Sequence, residues 1–464
     1  MSTAIWKLVF GCSLALAACG TRSAGLVRVD AEPEGLNCAA GGLAVHTGLD
    51  RDHDGVLSDE EITGTEYVCH TTSGVTCLGG NIVQGTVSIA NAADAAMYVG
   101  VNCIDGDLLI AGSDLNAIPD LASLAIVTGD VVIAGNADLQ SLDGLENLRD
   151  IGRTYLVQGN PGLTELGAVG RVRRASQITI VGNDGLVDLQ GLESFVELEP
   201  FLTIANNGSL ESLAGLENLV TMDRTLSIRG NRNLISVGAL DGLRSIHLLE
   251  INGNPRLGEV SFDALEKVNA RLIITTNATL TTVELPALST LGDFIQVASN
   301  GALTSITAPN LVTAGHVILN SNTALVTASF PRLVLTTGRV ELITMPKLRT
   351  ADFGELGSIG DSLTMHTTTQ LPNLGGFAKL TSVGGTLTLN NSDALTNFSG
   401  FDALEIVFGD FTITNNAKLG NFTGLGAFSE VGNNLSITAN PLLPAASSQA
   451  FAGSITVRGT TTIE

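Results

Sequence analysis

The sequence predicts a mainly β protein: a parallel right-handed β-solenoid of about 14 coils, preceded by a small N-terminal module. Three observations carry that expectation. An asparagine recurs every 22 to 24 residues, each repeat holds a Leu-x-Ile alternation just before it, and many repeats then place an apolar residue at every third position.

The asparagine is the ruler. Asn136, Asn160, Asn183, Asn207, Asn231, Asn254, Asn277, Asn300 and Asn322 keep one phase, which passes through Met345, Thr368 and Ser392 and returns at Asn416 and Asn440. Ahead of it, Leu202-x-Ile204, Leu226-x-Ile228 and Phe411-x-Ile413 show the period of two that marks a short strand with one buried face. The Gly-Asn or Asn-Asn pair that follows tolerates the left-handed backbone of a sharp turn. Stacked asparagines can then satisfy the backbone groups of those turns from coil to coil. The rows Leu139, Leu142, Leu145, Leu148 and Leu210, Leu213, Leu216, Leu219 have a spacing of three. That fits neither an ideal α-helix nor a plain strand, and describes a chain that bends repeatedly while keeping one residue in three inside. A single coil cannot bury its own apolar face, so the coils must stack.

This phrase resembles a known family. Cys103-Ile104-Asp105-Gly106-Asp107-Leu108-Leu109-Ile110 and the repeated Leu-x-Ile-x-x-Asn-x-x-Leu are similar to the receptor L domain, the leucine-rich β-helix of insulin- and growth-factor-type receptors. The likeness also extends to related fungal wall and bacterial surface proteins, and covers about residues 103–440. It implies recognition or wall structure and no catalysis, and it transfers no ligand-contacting positions, since those domains have fewer coils.

The first residues read as an export signal. Lys7 precedes a short apolar run through Leu16, too short for a membrane span. Leu16-Ala17-Ala18-Cys19 resembles the bacterial lipobox, which implies that residues 1–18 are removed and that Cys19 is acylated. Gly20 after the cysteine, in place of an aspartate, points to the outer membrane. Residues 19–37 read as a lipidated tether, residues 38–77 as a module and residues 78–464 as the repeat body. The composition, 46 acidic against 23 basic residues with a formal net charge of −23, disfavours nucleic acid and anionic headgroups as partners. Of the six cysteines, Cys12 leaves with the signal and Cys19 takes the lipid. Cys38, Cys69, Cys77 and Cys103 remain for two disulfides in an oxidising compartment. Three pairings are open; the sequential one, Cys38–Cys69 and Cys77–Cys103, fits the domain plan.

One motif is specific. Asp50-Arg51-Asp52-His53-Asp54-Gly55-Val56-Leu57-Ser58-Asp59-Glu60-Glu61 matches the twelve-residue EF-hand loop. Asp50, Asp52 and Asp54 take its first three ligand positions, the Val56 carbonyl the next, Ser58 the ninth position and Glu61 the last. Such a set of oxygens suits Ca²⁺. The flanks, rich in Gly41, Gly42, Gly48 and Gly64, are poor material for two helices, so the expectation is an isolated structural loop clipped by cysteines.

Elsewhere the chemistry is sparse. The six histidines are scattered, and acidic pairs such as Glu259/Asp263 or Asp352/Glu355 read as solvated positions. The best candidate surface is the outward face of the strands, with Thr203, Arg229, Asn252, Gln296, Asn320, His366, Asn390 and Thr412, whose hydroxyls and amides suit a carbohydrate or protein ligand. The expectation is a non-catalytic envelope lipoprotein for adhesion, recognition or scaffolding. The alternative is a polysaccharide-active lyase or hydrolase, which would need titratable groups clustered in successive coils. Ice binding through Thr-x-Thr rows is a remoter reading, interrupted by Ile273, Glu341, Ile343 and His366.

Overall fold

The computed structural model describes residues 6–9, 24–32, 42–52, 57–69, 75–118, 121–167 and 169–464. It is a parallel β-solenoid of about 16 turns, more than the asparagine ruler marks. The additional coils lie at the ends. Val87–Ile89 and Leu108–Ala111 pair in register with each other and with Val131–Ala134, but they close on Asn91 and Ser113 in place of the Ile-x-x-Asn phrase. The last strand, Thr461–Ile463, pairs with Leu435–Ile437 and lies beyond Asn440, the last asparagine of the ruler. Two compact units divide the chain: residues 1–219 with 223–232, and residues 220–222 with 233–464.

In the first unit the strands Leu108–Ala111, Val131–Ala134, Thr154–Gln158, Gln177–Val181 and Phe201–Ala205 run parallel in register. Leu108, Ile110, Val131, Ile133, Ile178, Ile180, Leu202 and Ile204 point inward and are fully buried, as the alternation predicts. The following segment bends as its spacing of three requires. Leu145 N–H donates to Leu142 O at 3.2 Å and Leu148 N–H to Leu145 O at 3.0 Å, so each turn returns a leucine to the interior.

The asparagines do the satisfying. Asn136 N–H donates to Asn160 Oδ1, Asn160 N–H to Asn183 Oδ1, Asn183 N–H to Asn207 Oδ1 and Asn207 N–H to Asn231 Oδ1, each at 2.9–3.0 Å. Each Nδ2 turns back to a strand carbonyl of the preceding coil: Asn160 to Ile133 O, Asn183 to Val157 O and Asn207 to Ile180 O. The residue before the ladder is left-handed in every coil, Gly135 and Gly159 at φ 72° and 62°, Asn206 at 53°. Glycine takes that backbone freely, which explains the Gly-Asn pairs.

Two buried side-chain atoms among the described residues lack a hydrogen-bond partner, Gln158 Oε1 and the Tyr155 hydroxyl. Tyr155, in register with Val131 and Ile178, is fully buried and its hydroxyl finds no hydrogen bond among the described residues. Removing an unsatisfied buried hydroxyl while keeping the ring returns its desolvation cost, about 1–2 kcal/mol. Tyr155→Phe is therefore expected to raise the thermal midpoint; a lower midpoint in a melting curve would show that the hydroxyl is satisfied.

The second unit repeats the plan. As the first unit has a short parallel sheet of Ile82–Gln84, Cys103–Asp105, Ile126–Val127 and Asp150–Ile151 beside its main one, the second has a sheet of Glu259–Ser261, Thr282–Glu284, Ser305–Thr307, Thr327–Ser329 and Thr350–Asp352. Here the asparagine ladder lapses: Met345 is buried at its position, Thr368 Oγ1 meets Ser392 Oγ at 2.8 Å, and Ser392 N–H rejoins the ladder at Asn416 Oδ1, 2.9 Å away. The irregular stretch near residues 339–374 is thus a ladder rebuilt with an apolar group and two hydroxyls. Toward the C-terminus phenylalanines replace leucines inside: Phe330, Phe353 and Phe377 stack at 5.3 and 4.9 Å. Phe451 of the helix Ala445–Ser454 stacks on Phe422 at 4.1 Å, which seats that helix against the last coils.

The N-terminal module, within the first unit, is an antiparallel sheet of β1 (Trp6–Val9), β2 (Ala24–Glu32), β3 (Gly42–Asp50) and β4 (Ile62–Cys69), in that order. Residues 24–32, expected in the tether, form β2. The reason is legible afterwards: Val27, Val29 and Ala31 alternate with Arg28, Asp30 and Glu32. Cys77 and Cys103 are joined by a disulfide. The expected Cys38–Cys69 bridge and the lipid site Cys19 lie outside the described residues, as do the side chains of Asp50, Asp54 and Val56.

Candidate functional site

The loop between β3 and β4 is entered from a strand and left through a 3₁₀ turn, Asp59–Glu61, so no helix flanks it on either side. Its last position is the best determined. Glu61 is 5% exposed and its carboxylate turns into the loop. It accepts Arg51 N–H at 2.6 Å, Asp52 N–H at 3.3 Å, and both Ser58 N–H at 3.0 Å and Ser58 Oγ–H at 2.8 Å. Hydrogen bonds from the Ser58 and Arg51 amides hold its carboxyl at a pKa of about 2, so it is an anion at any physiological pH. Arg28 on β2 fastens the exit of the loop, donating to Leu57 O at 2.8 Å and to the Asp59 carboxylate at 2.6 Å while pairing with Asp30 at 2.8 Å.

Asp52, Ser58 and Glu61 are thus gathered by one short segment whose oxygens are hard donors, the kind Ca²⁺ takes. Among the described residues no three His, Cys, Asp or Glu side chains converge on a single point. Glu61 is buried and ionised, and both of its oxygens accept hydrogen bonds from the loop, Oε1 from the Arg51 and Asp52 amides and Oε2 from Ser58.

The strand face is the second candidate. In the second unit register pairing aligns two outward columns. Glu250, Ile273, Gln296, Ile318, Glu341, Thr364, Thr388, Thr412 and Ser436 form one, and Asn252, Thr275, Ala298, Asn320, Ile343, His366, Asn390, Thr414 and Thr438 the other. Asn252, Gln296, Asn320, His366, Asn390 and Thr412 are all half-buried, as side chains standing on an open sheet are. Thr414 and Thr438 hydroxyls lie 3.1 Å apart across adjacent coils. In the first unit Thr203 is half-buried and pairs in register with Ser227, while Arg229 is exposed.

Several polar groups singled out by the sequence turn out to hold the fold. His316 Nδ1 accepts Arg339 N–H at 2.9 Å, and His46 bonds Thr65 Oγ1 at 2.8 Å. Asp352 accepts Gly354 N–H at 3.2 Å and Ser329 Oγ–H at 3.3 Å, Glu355 pairs with Lys379 at 2.6 Å, and Asp263 accepts Ser261 Oγ–H at 2.9 Å. Glu146, Glu193 and Glu217 each accept the N–H of the glycine two residues earlier, closing a coil corner. These glutamates serve as corner architecture.

Sequence reasoning missed one set. Val132, Ala134, Leu156, Val181 and Ala205 point outward from the first unit's strands, yet none is more than 8% exposed, and all form one cluster with Val45 of β3. The signal was present in Val131-Val132-Ile133-Ala134 and Tyr155-Leu156-Val157: a strand apolar in both phases is covered on both faces.

A family model described as a domain of unknown function (DUF7151) matches residues 25–69, the stretch from β2 to β4. No curated protein matches the chain.

Proposed function

We propose that this chain is a lipid-anchored outer-membrane protein that binds a carbohydrate or protein ligand on its polar strand face, without catalysis, and carries a structural calcium loop. The observation that supports the binding role best is the pair of outward columns from Glu250 to Thr438, rich in Thr, Ser, Asn and Gln and fixed in register by the parallel ladder. A rigid sheet presents hydroxyls and amides with little entropy left to lose on binding, which favours recognition of an uncharged polar surface. The net charge of −23 has little effect on such a ligand and repels polyanions. The likeness of the repeat phrase to receptor L domains supports the same reading.

The anchor rests on Leu16-Ala17-Ala18-Cys19. Acylation there supplies more than one chain, which stable anchoring needs. Removal of residues 1–18 also takes away β1 and leaves a sheet of β2, β3 and β4. Calcium would be held by Asp50, Asp52, Asp54, the Val56 carbonyl, Ser58 and Glu61. When bound it draws the two ends of the loop together; Glu61, already ionised, then needs no deprotonation.

Two measurements test this. Cys19→Ser is expected to move the protein from the detergent phase to the aqueous phase, and an unchanged partition would refute the anchor. The full chain, screened against insoluble and soluble polysaccharides, is expected to bind without releasing reducing ends or unsaturated sugars. Asn390→Lys with Thr412→Lys is expected to weaken binding at least about tenfold, the equivalent of 1.4 kcal/mol. Reproducible product release would make the protein an enzyme.

A further inference from the structure

The outward face of the second unit is not uniform. From Thr364 to Thr438 its two columns hold hydroxyls, amides and His366, with no apolar side chain. In the coils before Thr364 apolar side chains enter, and they enter in alternation. One column reads Glu250, Ile273, Gln296, Ile318 and Glu341, one residue per coil, so polar and apolar groups change places at every step. The strands of the unit's short sheet, from Glu259–Ser261 to Thr350–Asp352, follow these same strands one for one. The coils that carry the alternation are thus pinned to their neighbours by two ladders.

A further outward position stands two residues earlier on each strand. Leu248 lies opposite Arg271, the Arg271 guanidinium sits 5.0 Å from the centre of the Phe294 ring, and Phe294 lies opposite His316. The alternation recurs there out of step with the first column: Leu248 beside Glu250, Arg271 beside Ile273, Phe294 beside Gln296, His316 beside Ile318. The result is a chequered strip. Leu248, Ile273 and Phe294 are half-buried, and Ile318, 8% exposed, lies lower between Gln296 and Glu341. The arginines are already paired, Arg271 with Asp293 at 2.9 Å and Arg339 with Glu341 at 2.7 Å, so neither is free for an anionic ligand. His316 is fixed too: its Nδ1 accepts Arg339 N–H at 2.9 Å, which leaves Nε2 as the donor of the neutral ring. Gly338 makes room for that ring, since a Cβ there would collide with it.

The period of the strip selects its occupant. Coils stand about 4.8 Å apart, so like groups in a column recur every ~9.6 Å. An extended peptide laid along the column repeats its side chains every ~6.8 Å and loses step within one period. An extended β-linked glycan keeps step: successive rings are flipped, so C–H faces and hydroxyl edges alternate with a disaccharide repeat, a length that two coils match. We propose that the strip from Leu248 to Glu341 is a subsite for an uncharged, extended β-linked polysaccharide lying across the strands. Its ring faces rest on Ile273, Phe294 and Ile318, and its hydroxyls meet Glu250, Gln296 and His316. This rests on the binding role proposed above and names its ligand class. Groups held this rigidly lose little entropy when the ligand arrives.

The test is calorimetry on the full chain with cellotetraose, chitotetraose and, as the α-linked control whose chain coils, maltotetraose, beside pull-down on cellulose and chitin. One of the two β-linked tetrasaccharides is expected to bind, and maltotetraose at least about tenfold more weakly. Ile273→Thr with Ile318→Thr keeps β-branched residues in the strands and is expected to weaken the bound tetrasaccharide at least about tenfold, at an unchanged melting midpoint. Gln296→Ala, which touches no core position, is expected to weaken it about threefold or more, and decides alone if the double variant melts lower. Polysaccharide bound equally by wild type and both variants, or maltotetraose bound as well as the β-linked sugars, overturns the strip and leaves a carbohydrate-binding role standing. Extended peptides bound in place of any glycan, and lost in the same variants, make the strip a protein site and overturn the proposal. No saccharide bound, polymers included, overturns the strip and the carbohydrate reading together.

Discussion

Asn207→Ala is expected to destabilise the solenoid by about 4 kcal/mol, a large effect for one polar side chain. Asn207 is fully buried and serves four partners. Its Oδ1 accepts Asn183 N–H at 2.9 Å and Asn183 Nδ2–H at 3.4 Å, and its Nδ2 donates to Ile180 O at 3.1 Å and to Asn231 Oδ1 at 3.3 Å. Alanine takes away the partner of the Asn183 N–H and of Ile180 O, while Asn183 Nδ2 keeps Val157 O and Asn231 Oδ1 keeps the backbone N–H of residue 207; each orphan costs about 1–3 kcal/mol. Asn207→Ser should lose roughly half as much, because a hydroxyl can still accept the neighbouring amide. At the natural break in the ladder the Ser392 hydroxyl meets the Thr368 hydroxyl at 2.8 Å, and the Ser392 backbone N–H donates to Asn416 Oδ1 at 2.9 Å. Denaturant unfolding with amide exchange at residues 183 and 207 measures both variants. A loss below about 1 kcal/mol for Asn207→Ala would mean that water or a shifted backbone replaces the side chain.

Breaking the Cys77–Cys103 bond is expected to cost about 3.5 kcal/mol by loop-closure entropy, and to cost it locally. The bond spans 26 residues. The loop it closes holds the first coil, with Ile82–Gln84, Val87–Ile89 and the helix Ala92–Ala96. A terminal coil has a neighbour on one side alone, so it owns the fewest contacts in a stack whose stability is a sum over neighbours. Leu78 and Met97, 87% and 69% exposed, add little to hold it. With Cys77→Ala and Cys103→Ala, amides of residues 82–89 should exchange much faster while those of 411–414 stay protected. Uniform acceleration along the chain would show that the solenoid unfolds as one cooperative body, and no acceleration would show that the first coil holds without the staple.

Most of the solenoid was legible in the sequence because its causes are local and repeated. The period of two in Leu202-Thr203-Ile204 fixes which residues go in, the spacing of three in Leu210, Leu213 and Leu216 fixes how the chain returns, and Asn207 fixes the phase. Each signal recurs at intervals short enough to read by eye. The EF-hand-like pattern of residues 50–61 is visible for the same reason, since it lies within twelve consecutive residues, and the structure adds that Glu61 is buried and bound by the loop's own amides. The two ends of the array were missed. In the Leu108–Ala111 coil Ser113 stands at the ladder position and bonds Asn136 Oδ1 through its N–H and hydroxyl, so the asparagine signal is missing there although the bond is kept.

Three things were decided by tertiary structure alone. The partner of residues 24–32 is one: their alternation marks a strand, but local pattern cannot name residues 42–50 as what it pairs with. The role of the acids, from Glu146 at a coil corner to Glu355 beside Lys379, depends on which N–H or cation the fold brings to them. The difference between the two strand faces depends on the docking of Val45: Leu156 and Thr412 stand at equivalent outward positions, yet one is covered and the other open. Sequence periodicity states which side of its own sheet a residue occupies. What else packs against that side is set by contacts between residues far apart in the chain, and those leave no period behind.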